Sequence, residues 1–138
     1  MTVIINDAGF TVEDWEHGFF KLEELPANHP PALAVDLPSD VAVEDLPQLL
    51  NNVDLVRIDF PSFADGRGFT LARRLRDLGF VGRLRARGHV ISDQYAMARR
   101  SGFDEVEIDT DLAARQPEGE WLARANWQDN NYQSRLRG

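Results

Sequence analysis

Three arginines, Arg83, Arg85 and Arg87, alternate with Leu84 and Ala86, and in an extended segment a period of two sets all three guanidinium groups on one face. Arginines inside a sheet are costly unless paired, so these must meet carboxylates, reach solvent, or hold an anionic ligand or partner. Arg57 and Asp59 repeat the alternation one segment earlier and offer internal ion pairs. A second candidate is the loop from Pro61 to Thr70, where two glycines bracket an arginine just ahead of an apolar-periodic stretch. Glycines admit close backbone approach and a helix N-terminus presents free N–H groups, so Asp65, Gly66, Arg67 and Gly68 can form an anion clamp. The alternative is a tight turn at Asp65-Gly66 with Arg67 paired to a neighbouring acid. The loop is neither a P-loop nor a Gly-x-Gly-x-x-Gly fingerprint.

A third group is set by position. Asp36, Asp59 and Asp109 each close a predicted strand, and Arg87-Gly88-His89 closes another, at the strand ends where parallel sheets collect their ligands. Three converging carboxylates can hold a hard cation such as Mg²⁺, or they can simply cap the turns and helices that follow. His17, His29 and His89 lack the paired spacing of a zinc site. The chain has no cysteine, which removes disulfides, thiolate-held zinc, cysteine-ligated iron–sulfur clusters and thiol catalysis. With no haem ligand pair and no dinucleotide motif, no metal or cofactor is expected.

The elements that must position these residues follow from hydrophobic periodicity. Strands are predicted near 33–36, 53–60, 83–88 and 104–108, and helices near 69–78 and 93–101, with a shorter helix over Val43 to Leu50 opened by Ser39-Asp40. Gly79 ends the first long helix and Ser92 is placed to cap the second. The rhythm βαβαβαβ predicts an α/β fold: a small parallel sheet of about four βα-like units, half-barrel-like or open, with right-handed crossovers. Upstream, Val3 to Ile5 and a segment around Phe19 to Leu22 predict an N-terminal hairpin. Residues 1–31 then comprise that hairpin and a Pro-rich connector, 32–110 the core, and 111–138 a C-terminal helix and tail. An open sheet leaves edges to be covered by the hairpin or by a second copy in a homodimer.

At 138 residues, 43% hydrophobic and 28% charged, the chain is sized for a single core and is too apolar to be disordered. The start, MTVIINDAGF, has neither a basic nor an apolar leader region and no run approaches membrane-spanning length, so a cytoplasmic protein is expected. The net charge of −8 hides an uneven distribution: residues 1–56 hold 11 acids and one base, 57–100 hold 10 arginines and 4 acids, and 101–138 hold 8 acids and 4 arginines. An acidic whole argues against nucleic acid, while the arginine-rich middle can still attract anions or an acidic partner. The candidate anion- or partner-binding surface is therefore Asp65, Gly66, Arg67, Gly68, Arg73, Arg76, Arg85, Arg87, His89 and Asp93.

The stretch FPSFADGRGFTLARRLRDLGFVGRLRARGHVISDQ over 60–94, with RRSGFDEVEI from Arg99 and the weaker VDLPSDVAVEDL upstream, resembles domain of unknown function family 934. The family is bacterial, and its members are often labelled oxidoreductases of sulfite reduction. The chain departs from the family pattern at His89, Ser92 and Ser101, where acidic, arginine and cysteine residues are usual. The resemblance implies a role in assimilatory sulfate and sulfite reduction. Without a redox group of its own, such a protein is expected to be an accessory that assists electron delivery, docking sulfite reductase and an acidic electron donor such as ferredoxin through its arginines. The alternative is a small α/β enzyme or anion-binding module that handles a sulfur metabolite at the carboxyl ends of the strands.

Overall fold

The computed structural model describes residues 1–25 and 32–128. The connector at 26–31, with His29, and the tail from residue 129 lie outside the described residues. Seven strands form one mixed sheet: β1 Thr2–Asn6, β2 Gly9–Thr11, β3 Phe20–Lys21, β4 Ala34–Leu37, β5 Leu55–Phe60, β6 Arg83–Gly88 and β7 Glu105–Asp109, in the order β2-β1-β7-β6-β5-β4-β3. From β3 to β7 neighbouring strands are parallel and follow chain order. Crossovers of one hand that always step the same way put every helix on one side, as in half of a βα barrel. On that side Val56, Ile58, Phe60, Leu84, Ala86, Val106 and Ile108 meet Leu71, Leu75, Ala98 and Tyr95 in a single core. Each such side chain contributes roughly 1.5–3 kcal/mol by leaving water.

The helices are α1 Arg67–Asp77, α2 Tyr95–Ser101, α3 Thr110–Arg115 and α4 Glu118–Leu122. Gly79 adopts φ +102° just beyond α1 and donates its amide to the Arg76 carbonyl, ending the helix as expected. The short helix expected over Val43 to Leu50 is a 3-10 helix at Val43–Leu49, and it opens at Ala42 with no side-chain cap, not at Ser39-Asp40. Ser92 does not cap α2: a 3-10 turn at Ser92–Gln94 precedes the helix, the Gln94 side chain accepts from the Ile91 amide, and the Ser92 hydroxyl donates to Gln116 instead.

An N-terminal hairpin is present, but its second arm is β2. Asn6 folds its side-chain carbonyl back onto the Ala8 amide (2.8 Å), and Gly9 takes φ +114°, so the chain reverses within a few residues. β1 then lies antiparallel along β7. The segment around Phe19 to Leu22 supplies β3, which pairs with β4 at the opposite edge. Residues 12–19 must therefore cross the sheet from edge to edge on the side away from the helices.

Close packing at the start of α1 yields a testable sign reversal. Gly68 is buried against the ring of Phe60, which is itself held by Phe69 and Phe103 at centroid distances of 5.0 and 5.8 Å. Gly→Ala in an exposed helix interior is worth up to about 1 kcal/mol of stabilisation. Here the added methyl overlaps the ring, and Gly68→Ala is expected to destabilise by about 1–3 kcal/mol. Urea midpoints measure this; an unchanged or raised midpoint would show that the ring gives way freely.

Candidate functional site

The sheet face opposite the helices carries the charges. Arg57 and Asp59 on β5, Arg83, Arg85 and Arg87 on β6, and Glu105 and Glu107 on β7 share one side, because their register pairs place them in the same pleats. Arg85, fully buried, is the hub. Its guanidinium donates to Glu105, to Glu107 at 3.0 Å and to both carboxylate oxygens of Glu13 at 2.6 and 3.0 Å. Arg57 binds Asp36 through two donors at 2.6 and 2.8 Å, reaches Glu107 at 3.1 Å, and carries the Phe19 ring 3.6 Å above it. Arg83 joins Glu105 to Asp14 at 2.8 and 3.0 Å. The crossing segment is thus pinned by Glu13, Asp14 and Phe19 and closes the polar face. Burial alone would pull Arg85 toward neutrality; Glu13 and Glu105 outweigh it and raise its pKa. Among the described residues no buried side-chain polar atom lacks a partner.

Two residues farther along β6 the network opens. Arg87 is 48% exposed, and its one ion pair among the described residues is a 3.6 Å contact with Glu107. Beside it in register, Asp59 forms no hydrogen bond or ion pair among the described residues. Both line a cleft of about 350 Å³ bordered by Lys21, Asp36 and Arg57. Both also line a second cleft, of about 420 Å³, bordered by Phe63, His89, Asp109 and Arg115. The clefts therefore meet at the carboxyl ends of β5 and β6, where a parallel sheet places its ligands. His89 sits with Nδ1 3.1 Å from the Phe60 carbonyl and its ring against Phe63.

The other candidate residues are dispersed. Asp36 is engaged by Arg57, and Asp109 caps α3 by accepting the Leu112 amide at 2.7 Å. Asp36, Asp59 and Asp109 do not gather into a cation site, and no metal-holding group of His, Asp or Glu occurs among the described residues. Arg67 forms a two-point pair with Asp65 at 3.1 and 2.7 Å beside a separate hollow lined by Ser39 and Asp40. Gly66 and Gly68 flank that pair at the start of α1. Arg76 lies at the opposite end of the sheet, donating to the carbonyls of Phe80, Gly82 and Gly102 and to Asp104. Arg73 is exposed on α1, and Asp93 pairs with Arg124. A continuous basic patch running from Arg73 and Arg76 to Arg85 and Arg87 does not form, because Arg85 is enclosed and Arg76 faces the other rim.

Sequence reasoning missed the partners of the arginines. Glu105 and Glu107 alternate as strictly as Arg83, Arg85 and Arg87 do, and two facing alternations of opposite charge were a signal for cross-strand pairing. Glu13, Asp14 and Phe19 carried no such signal, since their placement depends on the edge-to-edge crossing.

Acid sensitivity follows from this arrangement. The Arg67 hydrogen bond holds Asp65 well below the usual carboxylate range, and the Arg83 hydrogen bond lowers Asp14. For Glu13 and Asp7 burial pushes upward, but hydrogen bonds from Arg85 to Glu13, and from Tyr95 and Arg99 to Asp7, win and lower both. Folded-state values below unfolded ones contribute stability above the ordinary carboxylate pKa of about 4, and that stability disappears as pH falls through the lowered values. The melting temperature is expected to hold from neutrality to about pH 5 and to fall progressively below about pH 4. A flat profile down to about pH 2 would remove these pairs from the stability account.

As a class, this is a mixed α/β sheet whose parallel part, β3 to β7, follows chain order, whose polar face is sealed by ion pairs and whose carboxyl rim stays open. The chain belongs to the family described as "Bacterial protein of unknown function (DUF934)", whose profile matches residues 34–138, from β4 onward. No curated protein and no solved structure matches it. No helix among the described residues is long and apolar enough to cross a membrane.

Proposed function

We propose that the protein is an anion-binding module of assimilatory sulfate and sulfite reduction, holding a small sulfur oxyanion at the carboxyl rim through Arg87, with Arg115 and His89 beside it. The observation that carries this reading is the contrast along β6: Arg83 and Arg85 are consumed by short carboxylate pairs, whereas Arg87 lines two confluent clefts and makes one ion pair, of 3.6 Å, among the described residues. A guanidinium with unused donors recognises oxyanions by charge and by its planar fork. The sulfur setting comes from the family resemblance. Sulfite titrated into isotope-labelled protein, followed by amide chemical shifts, tests the site. Shifts confined to residues 59–63, 87–90 and 109–115 support it; shifts centred on residues 65–70 would move the site to the Arg67 loop.

A second reading, the accessory that docks sulfite reductase or an acidic donor such as ferredoxin, is favoured by α1, on which Arg67, Arg73 and Arg74 are exposed. It requires that binding of such a partner weaken as salt rises and that Arg73→Glu/Arg74→Glu reduce it further.

A further inference from the structure

We infer that Asp59 restricts the rim site to oxyanions that retain a proton, so that it accepts hydrogen-bearing anions and rejects fully deprotonated ones of similar size. This rests on the rim reading above. Asp59 and Arg87 are register partners on adjacent strands, which run about 4.8 Å apart, so a single tetrahedral or pyramidal oxyanion can touch both side chains. Among the described residues the neighbouring groups leave Asp59 without a partner: Arg57 is held by Asp36 and Glu107, and Arg87 makes its ion pair with Glu107, at 3.6 Å. A carboxylate only accepts hydrogen bonds. An anion drawn in by Arg87 therefore meets Asp59 in one of two ways. If it carries an O–H, it donates that hydrogen to Asp59 and satisfies both residues. If it has none, its lone pairs face those of the carboxylate, and a like-charge contact selects against it.

The probes are inorganic phosphate, sulfite and sulfate, titrated calorimetrically into the full chain at neutral pH and low ionic strength. Phosphate and a fraction of sulfite keep a proton under these conditions and sulfate does not. Phosphate and sulfite are expected to bind at least about tenfold more tightly than sulfate. Asp59→Asn, whose amide can donate, is expected to erase that preference, chiefly by strengthening sulfate. Equal binding of all three anions by the wild type overturns the inference even if the variant fails to fold, and so does a folded Asp59→Asn protein with an unchanged ratio. These two outcomes leave the rim reading standing. Failure of every anion to bind the wild type overturns that reading and this inference together.

Discussion

Arg85→Ala is expected to unfold the protein well below the wild-type melting temperature. The substitution removes a fully buried guanidinium and leaves Glu105 and Glu107, 7% and 3% exposed, without their central counter-charge. Breaking one side of a buried pair costs about 3–5 kcal/mol, a large part of the roughly 5–15 kcal/mol that keeps a domain folded. For a chain of this size the melting temperature should fall by on the order of 10 °C or more. Among the described residues Glu105 then keeps only Arg83, and Glu107 only Arg57 and the long Arg87 contact, so adding Glu105→Gln and Glu107→Gln to Arg85→Ala should recover part of the cost. Circular dichroism melts of the two variants check both statements. A wild-type-like Arg85→Ala protein, or a triple variant no better than the single one, would show that the network does not hold the polar face together.

Arg87→Ala is expected to do the reverse, although it lies two residues away on the same strand face. Its side chain is half exposed and its one ion pair among the described residues is long, so stability should stay within about 0.5 kcal/mol of wild type. Oxyanion binding should suffer instead. Hydrogen bonds to charged groups are worth about 1.5–3 kcal/mol, and each 1.4 kcal/mol is tenfold, so affinity should drop roughly ten- to a hundredfold. A destabilised Arg87→Ala protein would mean that the contact with Glu107 is structural and the rim is part of the sealed network.

The core of the sheet was legible because its strands alternate apolar with charged residues and are separated by helix-period segments. The expected strands at 53–60 and 83–88 correspond to β5 and β6, and the helix expected at 69–78 is α1 starting two residues earlier. The N-terminal third was legible only in part. Phe19 to Leu22 reads as a strand wherever it pairs, and local propensity cannot say that its partner is β4, reached across the whole sheet, in preference to β1. The same long-range step hid the roles of Glu13 and Asp14. At the site, alternation placed Arg83, Arg85 and Arg87 on one face, yet it could not tell which guanidinium would be buried. That depends on where the strand ends relative to the crossing segment, which covers Arg85 and stops short of Arg87.

The central claim is that Arg87, at the open end of an otherwise sealed charge network, is the anion-binding group. The most direct measurement is calorimetric titration of sulfite into wild type, Arg87→Ala and Arg67→Ala at low ionic strength. Wild type and Arg67→Ala are expected to bind alike, while Arg87→Ala, still folded, loses most of its affinity. Unchanged binding by Arg87→Ala, or loss confined to Arg67→Ala, would contradict it.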